Sequence, residues 1–234
     1  MPIGILVPDV DKRISAWIEI IERKKKEEKE KKKTGITITL SREFGCEAYL
    51  LAEMLKQKLE AKTGQEWIIL DKDIIDRLSQ DTHLSKTLIK DLGVMSSFIQ
   101  DFFSSFQRGV LSKDQVFQEL AEIILRVAKV GNIIIVGRGA AVITSHLENC
   151  IHFRLEAPLE YRIKSIAKRA QLDQGEAEKL VNESQAKRDK FLKDFLHIDI
   201  RDPKYFDAIY NNSKNSINSI AESILTYVAK KISK

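Results

Sequence analysis

Two glycine-containing segments, each preceded by a short apolar run, hold arginines that could bind phosphate. The first is SREFGCEA, residues 41–48, which follows the apolar run 36–40 and leads into a helical pattern near Tyr49. The first N–H groups of a helix are unpaired and carry partial positive charge, so they favour anions. Gly45 permits close backbone approach, and Arg42 adds a cationic side chain. The pattern indicates a phosphate loop, and a structural turn that caps the helix is the alternative.

The second segment, residues 137–139, places Arg138 between two glycines directly after the apolar run 132–136. Two glycines allow the backbone to turn sharply, and a guanidinium can hold a phosphate through two parallel hydrogen bonds. The segment therefore predicts a phosphate clamp at Arg138, with an ordinary tight turn as the alternative. A dinucleotide fingerprint also begins G-x-G, but Val142 stands at its last position and does not complete it.

Further arginines lie in residues 158–197, a charged helical stretch that we interpret as a lid or as an exposed pair of surface helices. Arg162 and Arg169 are seven residues apart and share a helix face, and Arg188 is followed by Asp189. Arginines that close over a transferring phosphoryl group would neutralise charge in the transition state. Arginines in exposed salt bridges are the alternative, because they have the same sequence pattern.

Two carboxylates, Asp71 and Asp73, follow the apolar run 67–70. At the end of a strand they could orient a substrate hydroxyl or hold hydrated magnesium. Helix capping by either aspartate is the alternative. The four histidines lack the spacing of metal ligands, and no glycine-flanked serine accompanies them. The sequence therefore argues against metal-dependent hydrolysis and against a serine triad.

A sheet is needed to bring these segments together. The chain has 234 residues, of which 43% are apolar, enough for one substantial core. Short runs rich in Ile and Val alternate with helical patterns, which predicts an α/β fold with a parallel sheet covered by helices on both faces. Ligands bind such sheets at the carboxyl ends of the strands. The predicted strands are residues 36–40, 67–70, 132–136, 151–155 and 206–210.

Residues 1–33 are predicted to form an N-terminal amphipathic helix and a charged segment. The apolar side chains with helical spacing are Ile14, Trp17, Ile18 and Ile21. This helix either packs on the main domain or forms a homodimer contact. Residues 22–33 contain eight basic and four acidic side chains, which account for most of the net charge of +5. A solvated linker or exposed helix is the favoured interpretation, with RNA or an anionic membrane surface as the alternative.

Composition narrows the class of protein further. No aromatic residue interleaves with the charged block, so no specific nucleic acid is expected as a partner. No run of about 18 apolar residues occurs, so no membrane insertion is expected. Cys46 and Cys150 are the only cysteines and lack metal-type spacing. We therefore expect a soluble, cytoplasmic protein.

Six segments, taken in order along the chain, resemble the cytidylate kinase-like family of nucleoside monophosphate kinases. They are ITITLSREFG, DKDIIDRL, NIIIVGRGAAVI, RLEAPLEYRIKSI, AKRDKF and FDAIYNNS, and the resemblance covers about residues 34–234. It implies a P-loop kinase-like three-layer fold, in which a central parallel five-stranded sheet carries a helical lid at residues 158–197. The N-terminal helix precedes this domain. A helical insertion on the acceptor side is expected at residues 82–130.

The resemblance also implies an activity, the transfer of the γ-phosphoryl group of ATP to a nucleoside monophosphate, typically CMP or dCMP, with Mg²⁺. Carried over by position, it implies nucleotide or phosphate binding by Ser41, Arg42, Glu43, Gly45, Cys46, Glu47, Gly137, Arg138 and Gly139. The implied catalytic residues are Arg42, Arg162, Arg169 and Arg188, the acceptor-side residues are Asp71 and Asp73, and Asp189 belongs to the lid. The residues that would bind Mg²⁺ are not assigned.

The first loop departs from the usual family pattern. Cys46, Glu47 and Ala48 follow SREFG, and neither a lysine nor a hydroxyl follows the glycine. The carboxylate of Glu47 would repel the phosphates of ATP unless it points away or contacts magnesium. A catalytically impaired, nucleotide-binding regulatory module with a kinase fold is therefore the alternative function.

Overall fold

The computed structural model describes residues 9–27, 35–80 and 114–232, and these form a five-stranded sheet with helices. The strands are β1 Thr37–Arg42, β2 Ile68–Leu70, β3 Ile133–Val136, β4 Cys150–Glu156 and β5 Ala208–Asn211. All five predicted strands are present, which confirms the α/β prediction. β1 ends two residues later than predicted, so Ser41 and Arg42 belong to the strand and the loop begins at Glu43.

All neighbouring strands are parallel, in the order β2-β3-β1-β4-β5. In the register of the central strand, Leu40 lies opposite Val136 of β3, and Arg42 lies opposite Leu155 of β4. Parallel strands covered on both faces are rich in buried Ile and Val, as they are here. This strand order brings the loops after β1 and β3 side by side at the carboxyl edge of the sheet.

The described helices surround the sheet. They are α1 Val10–Glu27, α2 Ala48–Thr63, α3 Lys72–Gln80, α4 Gln115–Val130, the single turn α5 Ala140–Ile143, α6 Leu159–Ala170, α7 Gln174–Leu196 and α8 Ile217–Ile232. One core lies under α1, α3 and α4, and a second lies under α2 and α8 on the other face. The molecule therefore has three layers. Within the described residues, no helix combines the length and apolar character needed to cross a membrane.

The N-terminal helix packs on the main domain. Ile14 and Trp17 of α1 are 4% and 1% exposed and belong to the same core as the apolar side chains of α3 and α4. This packing is one of the two arrangements that the apolar spacing predicted. A homodimer contact through α1 stays a prediction, and it would have to use other side chains of the helix.

Residues 115–130, the second half of the expected acceptor-side insertion, are helix α4. Its side chains Ala121, Ile124 and Leu125 are fully buried in the core that also contains Ile135 of β3. α4 is therefore a principal helix of one layer rather than an appendage to it. The remainder of the expected insertion, including the phenylalanines at residues 98–106, falls outside the described residues except at Asp114.

Helices α6 and α7 form the hairpin expected from the charged stretch at residues 158–197. Asp173 caps α7 with a reciprocal pair of bonds to Glu176, which fixes the turn between the two helices. The hairpin has a small core of its own, in which Ile163, Ile166 and Val181 pack around Phe44. Because Phe44 belongs to the loop after β1, the hairpin and this loop pack as one unit.

Candidate functional site

The loop after β1 turns sharply at Gly45, whose φ is +101°. A Cβ atom at Gly45 would lie 2.6 Å from Cβ of Arg162 and 2.9 Å from its Cα. Only glycine tolerates both the positive φ and this approach. The group that lies close to Gly45 is Arg162 of helix α6, and the predicted approach of a phosphate stays a prediction.

Four backbone N–H groups of this loop donate to acceptors within the protein, and the first, that of Glu43, donates to the carbonyl of Leu155 at 3.1 Å. Phe44 N donates to Oε1 of Gln185 at 2.8 Å, Cys46 N to the carbonyl of Glu43 at 3.3 Å, and Glu47 N to Oδ1 of Asn212 at 3.0 Å. In this arrangement the N–H groups of Cys46 and Glu47, which were expected to bind phosphate, donate to protein acceptors, and their binding of phosphate stays a prediction. The loop is held rigid by the protein before any ligand binds.

Two arginines predicted for the lid hold the same loop through its carbonyl groups. Arg162 donates from Nη1 to the carbonyl of Phe44 at 3.2 Å and from Nε to the carbonyl of Ala157 at 3.0 Å. Arg169 donates from Nη2 to the carbonyl of Gly45 at 2.9 Å. Each guanidinium donates to a backbone carbonyl of this loop, so these arginines position the loop.

Glu43 and Glu47 also tie the loop to its surroundings. Oε2 of Glu43 accepts from the backbone N–H of Ala157 at 3.0 Å and lies 3.5 Å from Nε of Arg162. Oε2 of Glu47 accepts from the hydroxyl of Tyr161 in α6 at 3.4 Å.

Burial raises the pKa of the Cys46 thiol to about 12, so this cysteine is neutral. It fills the turn as a small apolar side chain.

The loop after β3 is built around three consecutive positive φ angles, +88° at Gly137, +53° at Arg138 and +70° at Gly139. A Cβ atom at Gly137 would overlap Nη1 of Arg42, and one at Gly139 would overlap the side chain of Leu196 in α7. Both glycines are favoured by φ, whereas the contacts are with the ends of side chains that could move aside. The loop places the guanidinium of Arg138 beside that of Arg42.

Arg138 is fixed by two contacts. Its Nη2 donates to Oδ2 of Asp76 in α3, and its Cζ lies 4.6 Å from the ring centroid of Phe191 in α7. Its Nε is buried and has no hydrogen-bond partner among the described residues. The group is therefore oriented on one side and has an unused donor on the other.

Arg188 in α7 is the third guanidinium at this edge of the sheet. Its Cζ lies 4.8 Å from the ring centroid of Phe44, and its buried Nη1 finds no hydrogen-bond partner within the described part of the chain. Burial lowers the pKa of Arg188 well below its usual value, and the charges of Arg42 and Arg138 lower it further. Burial likewise lowers the pKa of Arg42 to about 10, against an opposing effect of Asp71. The three guanidinium groups are close enough to repel one another.

Such an arrangement fits an anion with several oxygens. Buried polar groups in proteins are nearly always hydrogen-bonded, and a buried charge without a partner is costly. A phosphate group would accept from the unused donors of Arg138 and Arg188 and would offset the mutual repulsion of the three cations. The site can therefore bind a phosphate or phosphoryl group at the carboxyl edge of β1 and β3.

The two aspartates after β2 have different surroundings. Asp71 is buried, and its Oδ1 accepts the N–H groups of Asp73 and Ile74 at 3.1 and 3.2 Å, so it caps α3. Its Oδ2 lies 2.8 Å from Nη2 of Arg13 in α1. The capping alternative therefore describes Asp71. Asp73 is exposed in the first turn of α3, 3.7 Å from Nζ of Lys72.

Asp189 of the lid is exposed and accepts from Nε2 of Gln185 at 2.8 Å, which orients the amide that binds Phe44 N.

Among the described residues, no group of three or more His, Cys, Asp or Glu side chains could hold a metal ion. Mg²⁺ often reaches such sites bound mainly by substrate phosphates and water, with one or two carboxylates. The donor set of this edge fits that mode better than a metal site built by the protein alone.

Sequence reasoning missed four residues that organise the site. Asp76 orients Arg138, Gln185 and Asn212 bind the loop, and Arg13 pairs with Asp71. Asn212 and Asp76 could have been noticed, because they lie in the segments FDAIYNNS and DKDIIDRL. Gln185 and Arg13 have no local signal.

Comparison with known proteins gives a family. The model of the cytidylate kinase-like family matches residues 37–214, which include every strand of the sheet and the α6–α7 hairpin, though not α1. A cytidylate kinase from Methanocaldococcus jannaschii is 28% identical over 108 residues, which are 45% of this chain and 61% of that protein. The chain thus matches less than two thirds of the length of this curated relative.

Among solved structures, a protein from Eubacterium ventriosum described as uncharacterized superimposes with a TM-score of 0.64. The superposition covers 85% of this chain and 99% of that one, at 19% sequence identity. Identity this low supports a shared fold only. Together with the parallel five-stranded sheet, the family match confirms the P-loop kinase-like α/β fold that the sequence motifs implied.

Proposed function

The chain belongs to the cytidylate kinase-like family, and we propose that it transfers the γ-phosphoryl group of ATP to a nucleoside monophosphate, with CMP or dCMP as acceptor. The observation that carries this proposal is the cluster of Arg42, Arg138 and Arg188. Two buried donors of this cluster lack partners among the described residues, at the edge of the sheet where such folds bind ligands. A phosphoryl group is the ligand that the cluster fits.

Phosphoryl transfer needs positioning and charge stabilisation more than covalent chemistry. We assign Arg138 to the phosphate of the acceptor, because Asp76 and Phe191 hold its guanidinium in one orientation. Arg42 and Arg188 are assigned to the transferring phosphoryl group, whose charge they would stabilise in the transition state. Asp73 is assigned to the acceptor nucleoside. Mg²⁺, bound together with ATP, supplies further positive charge at the β- and γ-phosphates.

The guanidinium cluster could supply the positive charge that a lysine provides in other phosphate loops. In many phosphate loops a lysine places one positive charge beside the phosphates. Here Arg42 reaches that edge from the last position of β1, and Arg188 reaches it from the lid. The charge that the loop itself lacks is thus supplied by its neighbours, and Glu47 is engaged with Tyr161.

One observation favours the second candidate, a nucleotide-binding regulatory module without turnover. The N–H groups of Phe44, Cys46 and Glu47 already donate to protein acceptors. If none of these bonds opens for ATP, the loop offers few backbone donors to its phosphates. Nucleotide would then bind through the arginines without reaching the geometry needed for transfer.

The deciding experiment incubates the protein with ATP, Mg²⁺ and a panel of CMP, dCMP, UMP, AMP and GMP, and separates the products by chromatography. We expect CDP or dCDP from the wild type, and a loss of about 10² or more in rate for Arg138→Ala. Arg201→Ala is the matched control, because Arg201 is exposed and forms its ion pair with the neighbouring Asp199. Binding of ATP with no diphosphate from any acceptor would favour the regulatory module.

A further inference from the structure

Helix α1 lies outside the segment matched by the family model, yet it places a charged side chain at the base of the site. Arg13 precedes Ile14 in a helix that is anchored by the buried side chains of Ile14 and Trp17. Its guanidinium Cζ lies 5.5 Å from the ring centroid of Tyr49, at the start of α2. α1 thus holds Arg13 in a fixed place between α2 and α3.

The partner of Arg13 is Asp71. Nη2 of Arg13 lies 2.8 Å from Oδ2 of Asp71, an ion pair that lacks hydrogen-bond geometry, and the two side chains are only 13% and 9% exposed. The other carboxylate oxygen of Asp71 caps α3 through the N–H groups of Asp73 and Ile74. Both oxygens of this carboxylate are therefore engaged, and one of them depends on α1.

The charge of Asp71 also reaches the phosphate site. Asp71 follows Leu70 of β2, which lies opposite Ile135 of β3, and Thr39 of β1 lies opposite the same Ile135, so Asp71 and Arg42 stand at one edge of the sheet. Burial lowers the pKa of Arg42, and among the charged groups Asp71 has the largest effect and raises it. A negative charge at this position lowers the affinity of the neighbouring cations for an anion, unless a second cation neutralises it. Arg13 is that second cation. If Arg13 were absent, the full charge of Asp71 would act on Arg42 and oppose an incoming phosphate.

We propose that Arg13 is a positioning residue of the site, which neutralises Asp71 so that this carboxylate does not repel a phosphate that binds at Arg42. The proposal rests on the phosphotransferase function argued above. It also gives α1 a role, since the helix that carries Arg13 thereby sets the affinity of a site formed by the rest of the chain. Asp76, which orients Arg138, lies on the same helix that Asp71 caps, so α3 connects the ion pair to a second arginine of the site.

Three variants of the full chain test this role, with ATP as the probe in isothermal calorimetry and thermal unfolding measured beside it. We expect Arg13→Ala to bind ATP about tenfold more weakly than the wild type. Arg13→Ala combined with Asp71→Asn should return to within about threefold, because asparagine keeps the capping oxygen and removes the charge. Lys12→Ala removes one exposed positive charge from the same helix and should change nothing.

The rescue separates neutralisation from simple anchoring of α1. If Arg13 only anchors the helix, Asp71→Asn removes nothing harmful and the double variant binds ATP as weakly as Arg13→Ala. Unchanged affinity in Arg13→Ala would also overturn the proposal. If Arg13→Ala fails to fold, Asp71→Asn alone decides: affinity equal to or above that of the wild type supports neutralisation, and weaker binding overturns it. A wild type that binds no ATP would refute the phosphotransferase proposal itself, and the role of Arg13 with it.

Discussion

Two groups of arginines lie near the loop after β1. They differ in whether their N–H donors have acceptors among the described residues. Arg162 and Arg169 donate to the carbonyl groups of Phe44 and Gly45 and thereby become part of the scaffold. Arg42, Arg138 and Arg188 lie a short distance away, repel one another and leave two buried donors without partners among the described residues. The two groups share one residue type and one edge of the sheet.

Backbone carbonyls of the loop therefore determine whether an arginine at this edge is structural or able to bind a ligand. A guanidinium has five donors and stays charged, so it must find oxygen acceptors when it is buried. Where the loop supplies carbonyls, the arginine is satisfied and structural. Where it does not, the arginine remains able to bind a ligand that brings its own oxygens.

The strongest test of this comparison is Arg188→Ala. We expect turnover of the phosphoryl acceptor to fall by about 10² to 10³, because one of the charges at the transferring group is lost. The free energy of unfolding should stay the same or rise, since the variant removes a buried cation with an unsatisfied donor. Steady-state kinetics and urea unfolding on the same preparation measure both. Turnover equal to that of the wild type would place Arg188 outside the catalytic group.

Arg162→Ala should show the opposite pattern. The substitution leaves the carbonyls of Phe44 and Ala157 without their donor and removes an ion pair to Glu43, so we expect a loss of about 3 kcal/mol in the free energy of unfolding. Turnover of the folded variant should fall by less than about tenfold, because the guanidinium touches no proposed ligand position. Urea unfolding and kinetics at low temperature measure the two effects. If Arg162→Ala kept its stability and lost as much turnover as Arg188→Ala, the division of the arginines into two groups would be wrong.

The fold and the two loops were accessible from the sequence because their signals are local. Runs of Ile and Val gave the strands, and the glycines at 45, 137 and 139 marked turns that do require positive φ. Asp71 is also a local case: it directly precedes the first residue of α3, the position where a capping carboxylate is expected. The capping alternative for Asp71 therefore needed no knowledge of the tertiary structure.

The division among the arginines was not accessible, because it depends on partners that are distant along the chain. Gln185 is 141 residues from Phe44, Asn212 is 165 residues from Glu47, and Asp76 is 62 residues from Arg138. Spacing along a helix places Arg162 and Arg169 on one face, but it does not reveal which carbonyls lie opposite that face. Their assignment to the phosphoryl group rested on helix spacing and on the resemblance, and the structure shows both bonded to the loop.

His152 is a buried basic side chain that differs from both groups of arginines. It is neutral near pH 7, so it needs no partner for a buried charge. It lies in β4, where its Nδ1 is 2.8 Å from the hydroxyl of Thr39 and its backbone N–H donates to Asp207 at 2.7 Å. Burial lowers the pKa of His152 to about 4, although Asp207 acts in the opposite direction. An imidazole can become neutral in this way near pH 7, whereas a guanidinium cannot.

This difference predicts how stability depends on pH. Because the pKa of His152 is lower in the folded state than the unfolded value of about 6.5, the unfolded chain binds more protons between these two values. The contribution of His152 to stability is therefore complete above about pH 6.5 and is lost as the pH falls toward 4, by about 2 kcal/mol at pH 5. Urea unfolding at pH 7 and pH 5 measures it, and His152→Gln should reduce the difference between the two pH values. An equal difference in that variant would assign the acid sensitivity to other groups. The guanidinium cluster stays charged over this range, so binding of ATP to the folded protein should change far less than stability does.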